Sequence, residues 1–436
     1  MTTAWTSFRW DRLDIVPFLE LDCRQDIVPG LLLAWFSSEE RDVLEKELRQ
    51  EAVRRRLEGE SPEEIARELG RTSRWVRKWV ERHAQESHEG EWAAGHSRAP
   101  LSSPTRTPET VRGLIIEART RLVENPRAQY GSLAVQWELR RLGLDPIPPA
   151  RTIERVLAGA GLSRPRRRQA GYVSKGIPYP VSTDVEPGST HQIDMIGPRH
   201  LFGGVEFHAM NLIDVGSHQV ANTILDAARP TVMAAALAQM WAQTGVPKFA
   251  QFDNHATFRG AIPPAWQHFG PIVATCLDLG VTPRFIPLRE PWRNGIVEHF
   301  NNVWDKSFFR TETFTGLDHL RAENHEFVAF HNTNHRYSIH SGATPDQMWH
   351  DRTRTPLTPG YQPPSRLPAH GQIEVVRYIR SNRRVELFGK HITVADDQTH
   401  QYVTAIIKVR ARKIIVVTIN GEIIHTGDFN LARTLR

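Results

Sequence analysis

Thr190-His191-Gln192-Ile193-Asp194-Met195-Ile196 alternates as a β-strand and carries an acid, Asp194, within it. Outward from it, Phe202-Gly203-Gly204 reads as a turn, 205–214 as a returning strand and 219–225 as a third. Residues 230–244 then change period: Val232, Ala236, Met240 and Trp241 recur at helical spacing. Lys-Phe-Ala-Gln-Phe-Asp at 248–253 is a fourth strand that ends in a second acid, Asp253. A helix through Ile272, Val273, Cys276 and Leu279 and a strand over 281–287 come next. Pro291-Trp292-Arg293-Asn294-Gly295 turns into a helix whose buried stripe is Ile296, Phe300, Val303 and Trp304. Glu298, Asn301, Asn302 and Asp305 fall on its other side.

Three antiparallel strands followed by alternating helices and strands is the ribonuclease H-like order. In that order the first and fourth strands are neighbours, so Asp194 and Asp253 converge and the last turn delivers Glu298. Three clustered carboxylates repel one another and are costly without cations. Mg²⁺ takes oxygen ligands and keeps positions for water and phosphate. Two such ions about 4 Å apart serve both the attacking and the leaving oxygen of a phosphoryl displacement. Any one of these acids alone reads as a solvated turn or cap carboxylate; together, at the required elements, they read as a site. Asp214, at the end of the second strand, reads as structural or peripheral. His191, His299, His331 and His335 read as hydrogen-bonded or surface residues rather than ligands.

The chain has 436 residues, 40% of them hydrophobic, enough for several packed cores. Lys and Arg total 55 against 49 acids, a net charge of +6 that favours a polyanionic partner. Two cysteines, Cys23 and Cys276, exclude a disulfide framework or a cysteine-based zinc site. No apolar run reaches membrane-spanning length, and the short run at 31–36 reads as a buried segment. A cytoplasmic, nucleoid-associated protein is the expectation.

Proline and polar clusters at 83–107, 164–186 and 352–370 divide the chain into four segments. In the first, a charged helix over 39–57 stops at Gly59, and Ser61-Pro62-Glu63-Glu64 opens a short helix with a capping box. Gly70 ends it, Thr72 caps the next, and that helix carries Arg74, Arg77 and Lys78. Short helix, glycine turn and basic helix form the helix-turn-helix pattern, or else a three-helix module with a solvated basic face. The second segment repeats the design. Val111, Leu114, Ile115, Ala118 and Leu122 share one helical face, a second helix runs through Trp137 to Gly143, and a third exposes Arg151 and Arg155. Arg166, Arg167 and Arg168 come directly after, suited to phosphates. The last segment alternates densely in five short strands with an Asn420-Gly421 hairpin turn, the pattern of a small SH3-like β-barrel.

The core segment resembles bacterial insertion-sequence transposases with a retroviral-integrase core. The resemblance covers about residues 190–350. It lies in Asp194 with its strand, Phe252-Asp253-Asn254, Pro291-Trp292-Arg293-Asn294-Gly295-Ile296-Val297-Glu298, and Phe330 to Ser338 with Ala343-Thr344-Pro345 behind it. It implies that Asp194, Asp253 and Glu298 are a DDE triad, that two Mg²⁺ or Mn²⁺ ions bind there, and that strand transfer joins element ends to target DNA. Double-stranded DNA and further copies of the chain are the implied partners, and an ATPase helper is not excluded. Asn302 and Lys306, at four-residue steps from Glu298, are the expected DNA contacts on its helix. The sequence departs from the retroviral pattern in a longer gap between Asp253 and Glu298, assigned to an insertion around 260–264, and in His255 where glycine is often found.

The expected fold is therefore multidomain α+β. Helix-turn-helix domains occupy 1–84 and 107–168, a ribonuclease H-like α/β core 186–350, and an SH3-like barrel 370–436. The expected function is that of a DDE transposase, a polynucleotidyl transferase. A catalytically silent DNA-binding regulator derived from one is the alternative.

Overall fold

The computed structural model describes residues 38–86, 92–95, 106–163, 176–180, 185–260 and 268–435. Cys23, the apolar run at 31–36, Arg166, Arg167, Arg168 and most of the proposed 260–264 insertion lie outside the described residues. The chain divides into two units, Met1–Arg106 and Thr107–Arg436.

In the first unit, α1 (Ser38–Leu57), α2 (Pro62–Glu68) and α3 (Ser73–Glu86) pack around Ala52, Ile65, Ala66 and Val76. The capping box forms as its residues require. Ser61 Oγ accepts the Glu64 N–H at 3.2 Å, and the Glu64 carboxylate accepts the Ser61 N–H at 3.3 Å. The stretch expected to be a linker starts later than the sequence suggested. α3 runs on to Glu86, and Arg49 spans Trp79 and the carbonyl of the buried Ala93.

The second unit opens with α4 (Glu109–Glu124), α5 (Ser132–Arg141) and α6 (Ala150–Gly159) around Ile115, Val135, Leu139 and Ile153. Leu114, expected on the buried face, is exposed. The turn between α4 and α5 docks on the part of the chain between residues 312 and 336. Arg127 pairs with Glu312 and Glu323 at 2.7 Å each, and Gln129 bonds the Arg336 backbone in both directions.

A nine-stranded sheet then forms. β1 (Thr190–His200), β2 (Glu206–Asp214) and β3 (Val220–Leu225) are an antiparallel meander. β4 (Phe249–Phe252) runs parallel to β1 and β5 (Thr282–Phe285) parallel to β4. The order β3-β2-β1-β4-β5 is the ribonuclease H-like one. A four-residue helix, α8 (Ala256–Arg259), comes directly after β4. On one face of the sheet, α7 (Pro230–Thr244) and α9 (Pro271–Asp278) bury Met233, Leu237, Trp241 and Ile272. On the other, α10 (Gly295–Trp304) and α11 (Leu317–Asn334) bury Val297, Phe300, Trp304 and Phe327. Each such large buried side chain contributes about 1.5–3 kcal/mol. The stripe on α10 is centred one residue from its expected place, with Val297 fully buried and Ile296 and Val303 partly so.

The last segment is not a free-standing barrel. Its first strand, β6 (Gln372–Tyr378), adds in parallel to β5, and β9 (Tyr402–Lys408), β10 (Lys413–Thr418) and β11 (Ile423–Asp428) extend the same sheet. Without β6, β5 would be an open edge with unpaired peptide groups. Arg284 and Glu374 pair across this seam at 2.8 Å, and one apolar cluster runs beneath it from Phe285 to Val375 and Ile407. A sixth strand, β8 (Lys390–Thr393), pairs with β7 (Arg384–Leu387) outside the main sheet. Its Lys-His-Ile-Thr has too little alternation to read as a strand; the turn at Phe388-Gly389, with both φ positive, sets it.

Candidate active site

The parallel register of β1 on β4 builds the site. Gln192 sits opposite Gln251, and each strand carries an acid two residues further on, Asp194 and Asp253. Residues two apart on a strand share a face. The two acids therefore rise level on the face covered by α10, beyond the last paired residue of β4, where the strands part.

α10 brings the third acid, and the strands hold it. Gln192 Oε1 accepts the N–H groups of Ile296 and Val297, both at 3.1 Å. Gln251 Nε2 donates to the Arg293 carbonyl at 3.0 Å, and Asn294 Nδ2 donates to the Ile193 carbonyl at 3.2 Å. Glu298, one turn into the helix, is half-buried.

The electrostatics register the convergence. Burial raises the Asp194 carboxyl to about 6, and the nearby Asp253 and Glu298 push it in the same direction. Hydrogen bonds from the Met195 backbone and Asn301 pull the other way. Glu298 is raised by burial and by Asp253. Asn301 Nδ2 donates to Asp194 Oδ2 at 2.7 Å, Asn211 donates to Asn301 at 2.6 Å, and Asn222 donates to Asn211. An asparagine chain from β3 through β2 and α10 thus orients the Asp194 carboxylate. Asp253 Oδ1 accepts the His255 N–H at 2.9 Å, so His255 serves as the cap of α8 where glycine was the familiar residue. Arg377, buried on β6, donates to Asn254 at 3.2 Å and ties the last segment to this loop.

Among the described residues no three of His, Cys, Asp or Glu are grouped tightly enough to hold one ion. The donor set is nevertheless all carboxylate oxygen, and its mutual repulsion is of the kind a divalent cation relieves.

Asp214 is fully buried and structural: its carboxylate accepts the N–H groups of Gly188, Gly216 and Ser217. His191 is buried beside it, and burial lowers its ring to about 4. His331 is buried and bonded to Tyr337, while His299 is exposed. Asp305, expected on the open side of α10, is buried between Arg199 and Arg310.

Asn302 and Lys306 are both exposed, but Asn302 bonds its own helix at the Glu298 carbonyl. A π turn at Asp305–Phe309 breaks the uniform four-residue step to Lys306. Arg74, Arg77 and Lys78 are exposed on α3, with Arg77 paired to Glu63; Arg151 and Arg155 are exposed on α6.

Residues 44–92 match the family described as Homeodomain-like domain, and residues 279–345 match the Integrase core domain. The integrase-core match is confined to this part of the second unit. That match spans β5, the turn at Pro291, the helix that carries Glu298 and α11. No curated protein matches the chain closely enough to count as a relative. Similar solved structures include the HTLV-2 integrase catalytic core domain in complex with magnesium, at 16% identity. It covers 38% of this chain and 98% of its own, with a TM-score of 0.29. Another is a simian T-cell lymphotropic virus intasome bound to a PP2A regulatory subunit, also at 16% identity. It covers 69% of this chain and 95% of its own, with a TM-score of 0.32.

Sequence reasoning missed the residues that hold these acids and their loops in place: Gln192, Gln251, Asn294, Asn211, Asn222 and Arg377. One signal was available. Gln-Ile-Asp and Gln-Phe-Asp repeat the same spacing on both acid-bearing strands.

Proposed function

We propose that the chain is a DDE transposase that binds the ends of a DNA element and joins them to target DNA. The observation that supports this reading is the β1–β4 register together with the Gln192 and Gln251 bonds to the start of α10, which sets Asp194 and Asp253 beside the helix of Glu298. Asp194 and Asp253 would share one Mg²⁺ or Mn²⁺ ion, and Asp194 and Glu298 a second. Such ions activate the attacking oxygen and stabilise the leaving one. Asn301 fixes one Asp194 oxygen, and the His255 N–H fixes one of Asp253. Asp194, whose carboxyl is raised in the metal-free protein, must shed its proton to act as a ligand, so ion binding would release a proton and strengthen as pH rises. The basic faces of α3 and α6 would read the element ends, with Arg166, Arg167 and Arg168 on flanking phosphates. Asn302 and Lys306 would lie along DNA at the cleft, and several copies of the chain would assemble on the DNA.

The test is a strand-transfer assay on DNA carrying the element's own termini. Asp194→Asn, Asp253→Asn and Glu298→Gln should each abolish joining while end binding persists. Wild-type protein that binds ends but joins none under any divalent cation would instead favour the silent regulator.

A further inference from the structure

We infer that Gln192 and Gln251 form a two-sided clamp that sets where Glu298 stands relative to the acids of β1 and β4. The inference rests on the carboxylate reading above and assigns positioning residues to that site. Its basis is geometric. The two glutamines are direct partners across the parallel β1–β4 pairing, and both are buried, with 7% and 9% exposure. A buried amide must find hydrogen-bond partners. These two find theirs on one target, the turn and first residues of the helix that carries Glu298.

Their chemical roles are opposite, and the partners dictate this. Gln192 faces two backbone N–H groups, Ile296 and Val297, so it must present its oxygen. Those groups belong to the first turn of α10, where no intrahelical acceptor exists. Asn294, the residue at the cap position, makes no side-chain cap bond of its own. Gln251 faces the Arg293 carbonyl, which can only accept, so it must present its nitrogen; Asn294 Oδ1 lies within reach at 3.3 Å. Asn294, itself buried, closes the set by donating to Ile193, between Gln192 and Asp194. Each acid-bearing strand thereby fixes the helix from a position two residues before its acid. Three carboxylates that repel one another do not assemble unaided, and the clamp supplies the holding force before any cation arrives.

The opposed roles make the test asymmetric. In the full-length, metal-free protein, amide exchange is followed at Ile296 and Val297, with the β9 amides as a control for global stability. Mn²⁺ binding is measured separately by its electron paramagnetic resonance. Gln192→Met keeps the length but lacks the acceptor. It should speed exchange at both amides and weaken Mn²⁺ binding, each by about tenfold, as the loss of two bonds worth about 1.4 kcal/mol together would produce. Gln192→Glu keeps acceptor oxygens and should restore amide protection. Gln251→Glu cannot donate to the Arg293 carbonyl and should weaken Mn²⁺ binding as much as Gln251→Met does.

Unchanged exchange and Mn²⁺ binding in Gln192→Met would overturn the clamp. So would matched behaviour of Gln192→Met and Gln192→Glu, or β9 exchange rising in step, which would mark a general folding role. Wild-type protein that bound no Mn²⁺ would overturn the carboxylate reading itself, and with it the clamp's purpose. Wild type that binds Mn²⁺ beside a Gln192→Met that binds it equally well removes the clamp alone.

Discussion

Asp194→Asn should stabilise the metal-free protein at the pH where it abolishes activity. In the fold the Asp194 carboxyl is raised from 3.8 to about 6, chiefly by burial. The folded state therefore holds this proton more tightly than the unfolded chain does. Stability is undiminished below pH 3.8, falls as pH rises through the window up to about 6, and stays reduced above it. About two pH units at ~1.4 kcal/mol each give a cost of roughly 3 kcal/mol for ionising Asp194 in place. Asparagine has no such cost, and its oxygen can still accept from Asn301. The charge assistance lost from that bond is already contained in the net shift, where Asn301 pulls the carboxyl down. The expected net gain is about 1–3 kcal/mol. Urea denaturation in EDTA reads it: the variant and wild type should coincide near pH 4 and separate by this amount at pH 8. Adding Mg²⁺ at pH 8 should narrow the gap from the wild-type side only. Equal or lower stability of Asp194→Asn at pH 8 in EDTA would refute the argument, since it would mean that Asp194 carries no burden of burial and repulsion.

Two further outcomes are expected. Arg74→Ala combined with Lys78→Ala should weaken end binding and flatten the fall of log K with log salt by about 1.8, at 0.9 for each phosphate no longer neutralised; an unchanged slope would place α3 away from the DNA backbone. Arg284→Met should destabilise the protein by about 2–3 kcal/mol in urea, because it strands Glu374 in the β5–β6 seam. Glu374→Gln together with Arg284→Met should recover part of that loss, and no recovery would mean that the pair does not couple.

The core was legible because its elements are strongly patterned. The meander, the Pro230–Thr244 helix and the strand ending at Asp253 all announce their period and their ends. The three acids were legible for the same reason: Asp194 lies within a clearly alternating strand, Asp253 at the end of another and Glu298 in the first turn of a helix. The polar residues that hold them were not. Gln192 and Gln251 look like the solvated half of an alternating strand, and only the β1–β4 register shows that a helix end lies above them. The last segment shows a different limit. Its strands were readable one by one, but alternation says nothing about which partner an edge will choose. Pairing of β6 with β5 depends on where Gly371 brings the chain: its φ is +89°, and a Cβ there would approach Leu277 to 2.8 Å.

Because β6 closes the open side of β5, the final fifth of the second unit is not a detachable appendage. A message cut short between residues 286 and 371 would yield a protein whose sheet ends at β5 in bare peptide groups, with the apolar floor under Phe285 uncovered. Such a product would seek a substitute strand, and the nearest supply is another truncated copy. Frameshifts and nonsense changes late in the gene should therefore give aggregates rather than free, folded cores. The sheet's continuity acts, in that sense, as a proofreader of chain completeness.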